Sequence, residues 1–337
     1  MQKVKALVLL SGGLDSMLAA KILMEQGIEV VGLSFKSCFF GTDKAKKVAE
    51  QLGIKLIEID FSKEHLAMLK SPAHGYGKNM NPCIDCHGLM LKKAKKIMEE
   101  NLFDFVATGE VLGQRPMSQH RDALKIVEKI AGLTGKLVRP MSAKLLDESE
   151  PEKLGKINRE KLLDISGRSR DRQLELVKKY NILEYSKPGG GCVLTDPTFS
   201  KKLIKMFEYW PDCNENDIAV LKNGRNFWFN ALSNNKILAI IGREKEDNEN
   251  LLKLKQSNDV IIELADFAGP ISLIRAKNFK LEVINKIQEI DVPEEIDISK
   301  LKFDEEKSFE EILKIVALLT SYYVVKARGK RVNVITN

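Results

Sequence analysis

Three stretches of the 337-residue chain carry side chains whose type and spacing can do chemistry. The first is NPCIDCHG, residues 81–88, where Cys83 and Cys86 stand two residues apart behind Pro82 and ahead of His87. Thiols at that spacing can hold zinc or an iron–sulfur cluster or act as a dithiol pair, and C-x-x-C-H also matches the attachment pattern of c-type haem. The second is SGGLDS, residues 11–16. Gly12 and Gly13 let the backbone turn tightly and approach a ligand, Ser11 and Ser16 offer hydroxyl donors, and Asp15 offers the oxygen a hard cation such as Mg²⁺ prefers. The loop is neither G-x-x-x-x-G-K-[ST] nor G-x-G-x-x-G. The third is GGGCVLTDP, where Cys192 follows three glycines far downstream of the cysteine pair.

The elements that must position these residues follow from hydrophobic periodicity. KALVLL (5–10) is a continuous apolar run, the pattern of a parallel strand buried on both faces. It leads straight into SGGLDS and a helical stretch over 16–27, so the helix N-terminus and its dipole face the loop and make an anion cradle. Strand patterns at 28–35, 54–60 and 103–110 alternate with helical ones at 42–53 and 87–101. Pro82 marks a helix start, where the dipole favours the thiolates of Cys83 and Cys86. Such repeats predict an α/β fold with a doubly wound parallel sheet and ligands at the carboxyl ends of its strands. Residues 115–180 read as mostly helical, and 199–210 as a closing helix. Beyond Pro211 the texture changes: strands are expected at 226–232, 236–242 and 259–264, helices at 243–255 and 306–322, and a terminal strand at 331–336. The expected domains are 1–207 and a smaller α+β domain, 208–337.

The composition, 44% hydrophobic and 30% charged, is that of a soluble globular protein. No apolar run is long enough to span a membrane, and the start lacks a cleavage site, so the expected location is the cytoplasm, with no membrane partner. A reducing compartment argues against a disulfide framework for the five cysteines, and the lack of an export signal argues against haem. The net charge of +7 is uneven: residues 1–205 hold 35 Lys and Arg against 25 Asp and Glu, and the remainder 19 against 22. The basic first part suits a polyanion such as RNA. Cys38 and Cys213 read as small core residues, Trp210 and Trp228 as core, and His65, His74 and His120 as solvent-facing or internally satisfied.

SGG-x-DS directly after a buried first strand resembles the PP-loop of the N-type ATP pyrophosphatases, a fold like that of the adenine nucleotide alpha hydrolases. The resemblance implies that Ser11, Gly12, Gly13, Asp15 and Ser16 hold the β,γ-phosphates of ATP, with Asp15 placing Mg²⁺. ATGEVLGQRPMSQHRDAL (107–124) resembles the T-G-E-x-L-G-Q…S-Q stretch of the tRNA 4-thiouridine synthetases. That likeness puts Thr108, Gly109, Gln114 and Ser118 at the nucleotide and substrate site, while Arg115–Pro116–Met117 is bulkier than the family's pattern. VRPMSAKLLDE (138–148) continues the likeness and makes Lys144 a weaker phosphate candidate.

A C-x-x-C pair with a third distant cysteine is similar to the arrangement in tRNA thiolation enzymes, including the tRNA 2-thiouridylases. It implies either a [4Fe–4S] cluster on Cys83, Cys86 and Cys192, or a persulfide relay between Cys83 and Cys192. Zinc, with His87 as a fourth ligand, is the structural alternative. The stretch 227–275 resembles the small RNA-binding domain of the NFACT ribosome quality-control family through Gly242, Arg243, Asn248 and Gly269, with Lys326, Arg328, Lys330 and Arg331 as further contacts. Together these imply an ATP-dependent tRNA sulfurtransferase whose catalytic residues are Asp15, Cys83 and Cys192. Its expected partners are tRNA, a cysteine desulfurase or free sulfide as sulfur source, and a second copy in a homodimer. Two other classes remain: an amide-forming PP-loop ligase that uses ammonia, and a non-catalytic RNA-binding or ribosome-associated module.

Overall fold

The computed structural model describes residues 3–186, 192–277, 280–281 and 286–337. The chain divides into two compact units, Met1–Pro197 and Thr198–Asn337.

The first unit runs β1 (Lys5–Leu9), α1 (Leu14–Met24), β2 (Glu29–Lys36), α2 (Asp43–Leu52), β3 (Leu56–Asp60), α3 (Ser62–Lys70), α4 (Cys83–Glu100), β4 (Phe105–Thr108), α5 (Arg121–Ala131), β5 (Leu137–Val138), α6 (Glu150–Lys153) and α7 (Asp171–Lys179). Its sheet has the order β3-β2-β1-β4-β5, with every neighbouring pair parallel. The chain builds outward from β1 to β3, then returns to β1's other side with β4, so the order reverses between β1 and β4. A crevice for ligands opens at such a reversal, beyond the carboxyl ends of the strands.

The apolar run of β1 is buried on both faces, as its sequence requires. Ala6, Val8 and Leu10 point into a core with Leu14, Met17 and Leu18 of α1 and Val48 of α2. Leu7 points the other way, into a core with Phe61, Leu91 and Ala94 of α4, Val106 and Val127. Period-two alternation thus feeds two cores from one strand. The stretch 115–180 is less helical than its composition predicts. Glycines with left-handed φ at 132, 135, 155 and 167 cut it into α5, the four-residue α6 and α7. Also absent from the sequence reading was α3, nine residues of mixed polarity.

The second unit holds α8 (Pro197–Tyr209), α9 (Glu215–Leu221), β6 (Arg225–Ala231), β7 (Asn235–Ile241), α10 (Lys245–Leu254), β8 (Val260–Leu264), β9 (Ser272–Ala276), β10 (Lys286–Asp291), β11 (Glu306–Lys307), α11 (Phe309–Tyr322) and β12 (Arg331–Thr336). The division falls between Pro197 and Thr198, at the first residue of α8. Lys202 of α8 donates to the carbonyls of Leu221 and Gly224, and Trp210, buried just after the helix, donates its Nε1–H to the carbonyl of Lys236.

The seven strands are ordered β10-β12-β8-β9-β7-β6-β11, antiparallel except for β11 against β6. Ile312 and Val316 of α11 pack on Phe229, Ile237 and Ile262. Among the described residues Arg275 is the largest fully buried side chain, ion-paired to Asp217 at 3.1 Å and Asp259 at 2.6 Å. Among the described residues no helix is long and apolar enough to cross a membrane.

Candidate active site

The loop after β1 turns at Gly12, whose φ of +76° an L side chain rarely adopts. A Cβ there would lie 2.3 Å from Lys44 Cβ and 2.6 Å from the Lys44 carbonyl carbon. Gly13 caps α1 in an extended conformation, so the helix begins at Leu14, two residues before the expected start. Ser16 donates its hydroxyl to the Gly13 carbonyl at 2.8 Å, and Ser11 Oγ lies 3.3 Å from Ser16 Oγ. Ser186 fastens the far side by donating to the Gly12 carbonyl at 2.9 Å. The loop is therefore held by its own hydroxyls, with the N–H groups of the first α1 turn directed at its mouth.

The second loop meets the first at the sheet's reversal. A Cβ on Gly109 would fall 2.4 Å from the backbone nitrogen of Ser16 and 2.5 Å from the carbonyl carbon of Asp15. Only glycine lets the two loops touch backbone to backbone. Gln114 donates to Asp15 Oδ2 at 2.8 Å, and Ser118 is buried. Thr108 donates to Glu110 at 3.0 Å. All the residues expected at the nucleotide site thus belong to the two loops that meet here. Lys144 does not join them: its ammonium is taken by the Glu160 carbonyl at 2.9 Å and carboxylate at 3.2 Å. Arg115 is exposed.

Sequence reasoning missed three further groups. Arg170 places Nη2 at 3.9 Å from Asp15 Oδ2. Gln173 is fully buried and reaches Asp15 Oδ1 and Gln114 Oε1, each at 3.4 Å. Glu110, buried, meets Arg139 Nε and His87 Nδ1, both at 2.9 Å, and Arg139 also pairs with Glu128. Burial by itself would raise the Glu110 carboxyl, but the Arg139 guanidinium and His87 hold it down to about 2. The signal for Glu110 was present in the T-G-E triplet. Arg170 and Gln173 lie in a stretch, GRSRDRQ, with no pattern that announces a site.

α4 starts at Cys83, with Pro82 as its N-cap, so both cysteines of NPCIDCHG sit in the first turn. Asn81 donates its amide to Cys83 Sγ at 3.3 Å and lies 3.9 Å from Met117 Sδ of the second loop. Asn79 donates to the Thr195 carbonyl at 2.7 Å, which ties the segment after Cys192 to the loop before Cys83. The glycines expected to bring Cys192 close, 189–191, lie outside the described residues.

The dipole argument fails for Cys86. Burial pushes its thiol far above the ordinary value, and the negative charges of Cys192, Cys83 and Asp85, all close enough to act on it, push it further. Cys83 and Cys192 are therefore both electrostatic neighbours of Cys86. Among the described residues, however, no three His, Cys, Asp or Glu side chains are gathered as a metal site. The thiol set is of the type that suits an iron–sulfur cluster. It suits zinc less well, since adjacent helical residues such as Cys86 and His87 point about 100° apart.

The remaining histidines are partnered or caged. His74 Nδ1 lies 2.8 Å from Asp85, and His120 caps α5 by accepting from Ala123. His65 contradicts the expectation of a satisfied or exposed side chain. It is fully buried, stacked on Phe61 at 4.8 Å with Phe39 and Phe40 around it, and neither ring nitrogen has a hydrogen-bond partner.

In the second unit Gly242, Asn248 and Gly269 form one structural knot: Asn248 accepts from the Ile271 N–H at 3.1 Å and donates to the Gly269 carbonyl at 3.0 Å. Arg243 and Arg331 are held by Asp247 and Asp291, both at 2.9 Å. Arg328 lies over Tyr322, Lys330 over Phe267 and Arg225 over Tyr323.

Comparison with known proteins agrees with this geometry. Residues 2–144 match the family described as thiamine biosynthesis protein (ThiI). A tRNA-specific 2-thiouridylase MnmA of Treponema denticola is 37% identical over 123 residues, 31% of this chain and 32% of the relative. A probable tRNA sulfurtransferase of Finegoldia magna is 31% identical over 143 residues, 41% of this chain and 36% of the relative. A 4-thiouridine synthetase, crystallised with RNA and ATP, aligns over 65% of this chain and 52% of its own at 23% identity, with a TM-score of 0.40, too loose an overlap to add to the argument. The chain spans about a third of the length of the curated relatives named here. Over its N-terminal stretch, residues 2–144, the chain is thus similar to the ThiI family and to proteins named as tRNA sulfurtransferase and tRNA-specific 2-thiouridylase.

Proposed function

We propose that the chain is an ATP-dependent tRNA uridine sulfurtransferase. The observation that carries this reading is the physical bond between the cysteine motif and the nucleotide loop. His87 meets Glu110 at 2.9 Å and Asn81 approaches Met117 at 3.9 Å, contacts with the second loop that support reading NPCIDCHG as a wall of the PP-loop site. An ammonia-using ligase has no need of thiols there, and a non-catalytic module has no need of the cradle.

In this reading Ser11, Gly12, Gly13, Asp15 and Ser16 bind the pyrophosphate moiety of ATP with Mg²⁺, and Thr108, Gly109, Gln114 and Ser118 complete the nucleotide pocket. A uracil carbonyl oxygen attacks the α-phosphorus and pyrophosphate leaves. Sulfur delivered at the cysteines then attacks the activated carbon and AMP departs with the oxygen. Adenylation is required because a uracil oxygen is otherwise a poor leaving group.

Cys83, Cys86 and Cys192 would hold a [4Fe–4S] cluster, a reading supported by the nearness of Cys83 and of Cys192 to Cys86 and by the Asn79–Thr195 clasp. The sulfur comes from a partner such as a cysteine desulfurase or from free sulfide. The second unit would assist in holding RNA, with Arg328 over Tyr322 and Lys330 over Phe267 presenting cation and aromatic face together. The protein would work in the cytoplasm.

The experiment is release of AMP and pyrophosphate from ATP by anaerobically prepared protein, with iron, sulfide and zinc measured on the same sample. The proposal expects tRNA to stimulate AMP release and about four irons per chain, lost in Cys192→Ser. Release that tRNA does not stimulate contradicts the function. Zinc at about one per chain contradicts the cluster. Absence of metal with tRNA-stimulated release would replace the cluster by a persulfide relay between Cys83 and Cys192.

A further inference from the structure

The SGGLDS loop lacks the lysine that a Walker A loop directs at the β and γ phosphates. Backbone N–H groups and a helix dipole supply only partial charges, so a triphosphate with several negative charges calls for a cation from elsewhere. Two basic side chains of the VRPMSAKLLDE stretch already have carboxylate partners. Lys144 is bound to Glu160, and Arg139 is buried between Glu110 and Glu128.

The start of α7 presents a different pair. Arg170, the residue that caps the helix, and Gln173, one turn on, both face Asp15. At 3.9 Å the Arg170–Asp15 contact is loose, and the Arg170 side chain is 23% exposed, so it has room to turn toward a ligand. Gln173 is fully buried, spends its amide on Asp15 and Gln114, and leaves Oε1 buried without a hydrogen-bond partner. A buried acceptor left unmet beside the phosphate cradle points to a donor that arrives with the ligand, such as a water on the ligand's cation. Both residues lie beyond the 2–144 stretch that the family match covers.

We propose that Arg170 is a phosphate-binding residue of the nucleotide site and that Gln173 positions Asp15. This rests on the PP-loop reading above. Without ligand, Arg170 neutralises Asp15. With ATP bound, Asp15 would hold the Mg²⁺ that accompanies it, leaving the Arg170 guanidinium to turn to the β or γ phosphate.

The test is equilibrium binding of ATP with Mg²⁺, and of AMP, to the full chain and to Arg170→Gln and Arg170→Lys, each also in an Asp15→Asn background. Removing one charge-assisted contact predicts that Arg170→Gln weakens ATP roughly 10- to 100-fold. AMP, which lacks the β and γ phosphates, should bind within about threefold of the parent, and Arg170→Lys should recover part of the loss. The loss should persist with Asp15→Asn. Unchanged ATP affinity in Arg170→Gln overturns the assignment. So does equal weakening of ATP and AMP, or a loss that vanishes in the Asp15→Asn background, since Arg170 would then act only through Asp15. Failure of the unaltered protein to bind ATP at all overturns the PP-loop reading and this inference with it.

Discussion

The glycines of the two loops look alike in sequence, yet the geometry assigns them unequal tasks, and alanine substitution separates them. At Gly12 a methyl group meets Lys44 Cβ at 2.3 Å and backbone at 2.6 and 2.8 Å, on a residue whose φ is +76°. The left-handed conformation costs roughly 1–2 kcal/mol and forced overpacking roughly 1–3. Gly12→Ala should therefore destabilise the first unit by about 2–5 kcal/mol. At Gly109 φ is ordinary, but the methyl group would strike Asp15 and Ser16 backbone at 2.4–2.5 Å. About 1 Å of separation must open between the loops, at about 1–3 kcal/mol, and Asp15 moves with it. At Gly13 the nearest atom is Ser11 Oγ at 3.3 Å, and φ is −88°. There, loss of a favoured N-cap residue and gain in chain stiffness offset each other, leaving a change within about 1 kcal/mol.

The assay is urea unfolding of each variant followed by a probe in the first unit, with ATP binding measured in parallel. The expected order of stability is Gly13→Ala near the parent, then Gly109→Ala, then Gly12→Ala, with ATP affinity falling sharply in Gly109→Ala. If Gly13→Ala is as damaging to stability as Gly12→Ala, or if Gly109→Ala keeps both stability and ATP affinity, the loop-to-loop contact described here is wrong.

Three other substitutions test the buried polar groups. Glu110→Gln leaves Arg139 buried with Glu128 alone and should cost about 3–5 kcal/mol at neutral pH. Because the Glu110 carboxyl is held at about 2, below its ordinary 4.5, its contribution is complete above about pH 4.5 and fades as pH falls toward 2. Urea midpoints of parent and variant should converge over that window. Burial lowers the His65 imidazole from 6.5 to about 4, so the folded state resists a proton that the unfolded chain accepts. Stability is then lost as pH falls from 6.5 to 4, and His65→Leu should flatten that slope in pH-dependent melting. Arg275→Met leaves Asp259 buried without its cation and Asp217 with Lys277 alone, and should destabilise the second unit by roughly 3–5 kcal/mol, visible as early melting of that unit.

The architecture was legible because two signals coincide in the first unit: continuous apolar strands and glycine-terminated helices. KALVLL feeds two cores, and that requirement writes itself into every position of the run. SGGLDS and T-G-E stood out because a tight turn and a close backbone approach admit only glycine at fixed places, as at Gly12 and Gly109. The short α3, α9 and β9 escaped because their burial depends on partners distant in sequence. Arg170 and Gln173 escaped for the same reason: 155 and 158 positions from Asp15, they reach it only through the packing of α7. The thiolate expectation at Cys86 went wrong because the helix dipole was weighed without desolvation, which is the larger influence there. His65 misled because an isolated polar letter carries no trace of the three phenylalanines that enclose it.

The central claim is that one site both activates a uridine with ATP and supplies it with sulfur. The most direct measurement is mass analysis of the nucleosides of tRNA after incubation with the anaerobic protein, ATP, Mg²⁺ and sulfide. The account predicts a uridine that exchanges oxygen for sulfur only when ATP is present, and no exchange with Asp15→Ala or Cys192→Ser. Unmodified tRNA, under conditions where the same sample turns ATP into AMP and pyrophosphate, would contradict it.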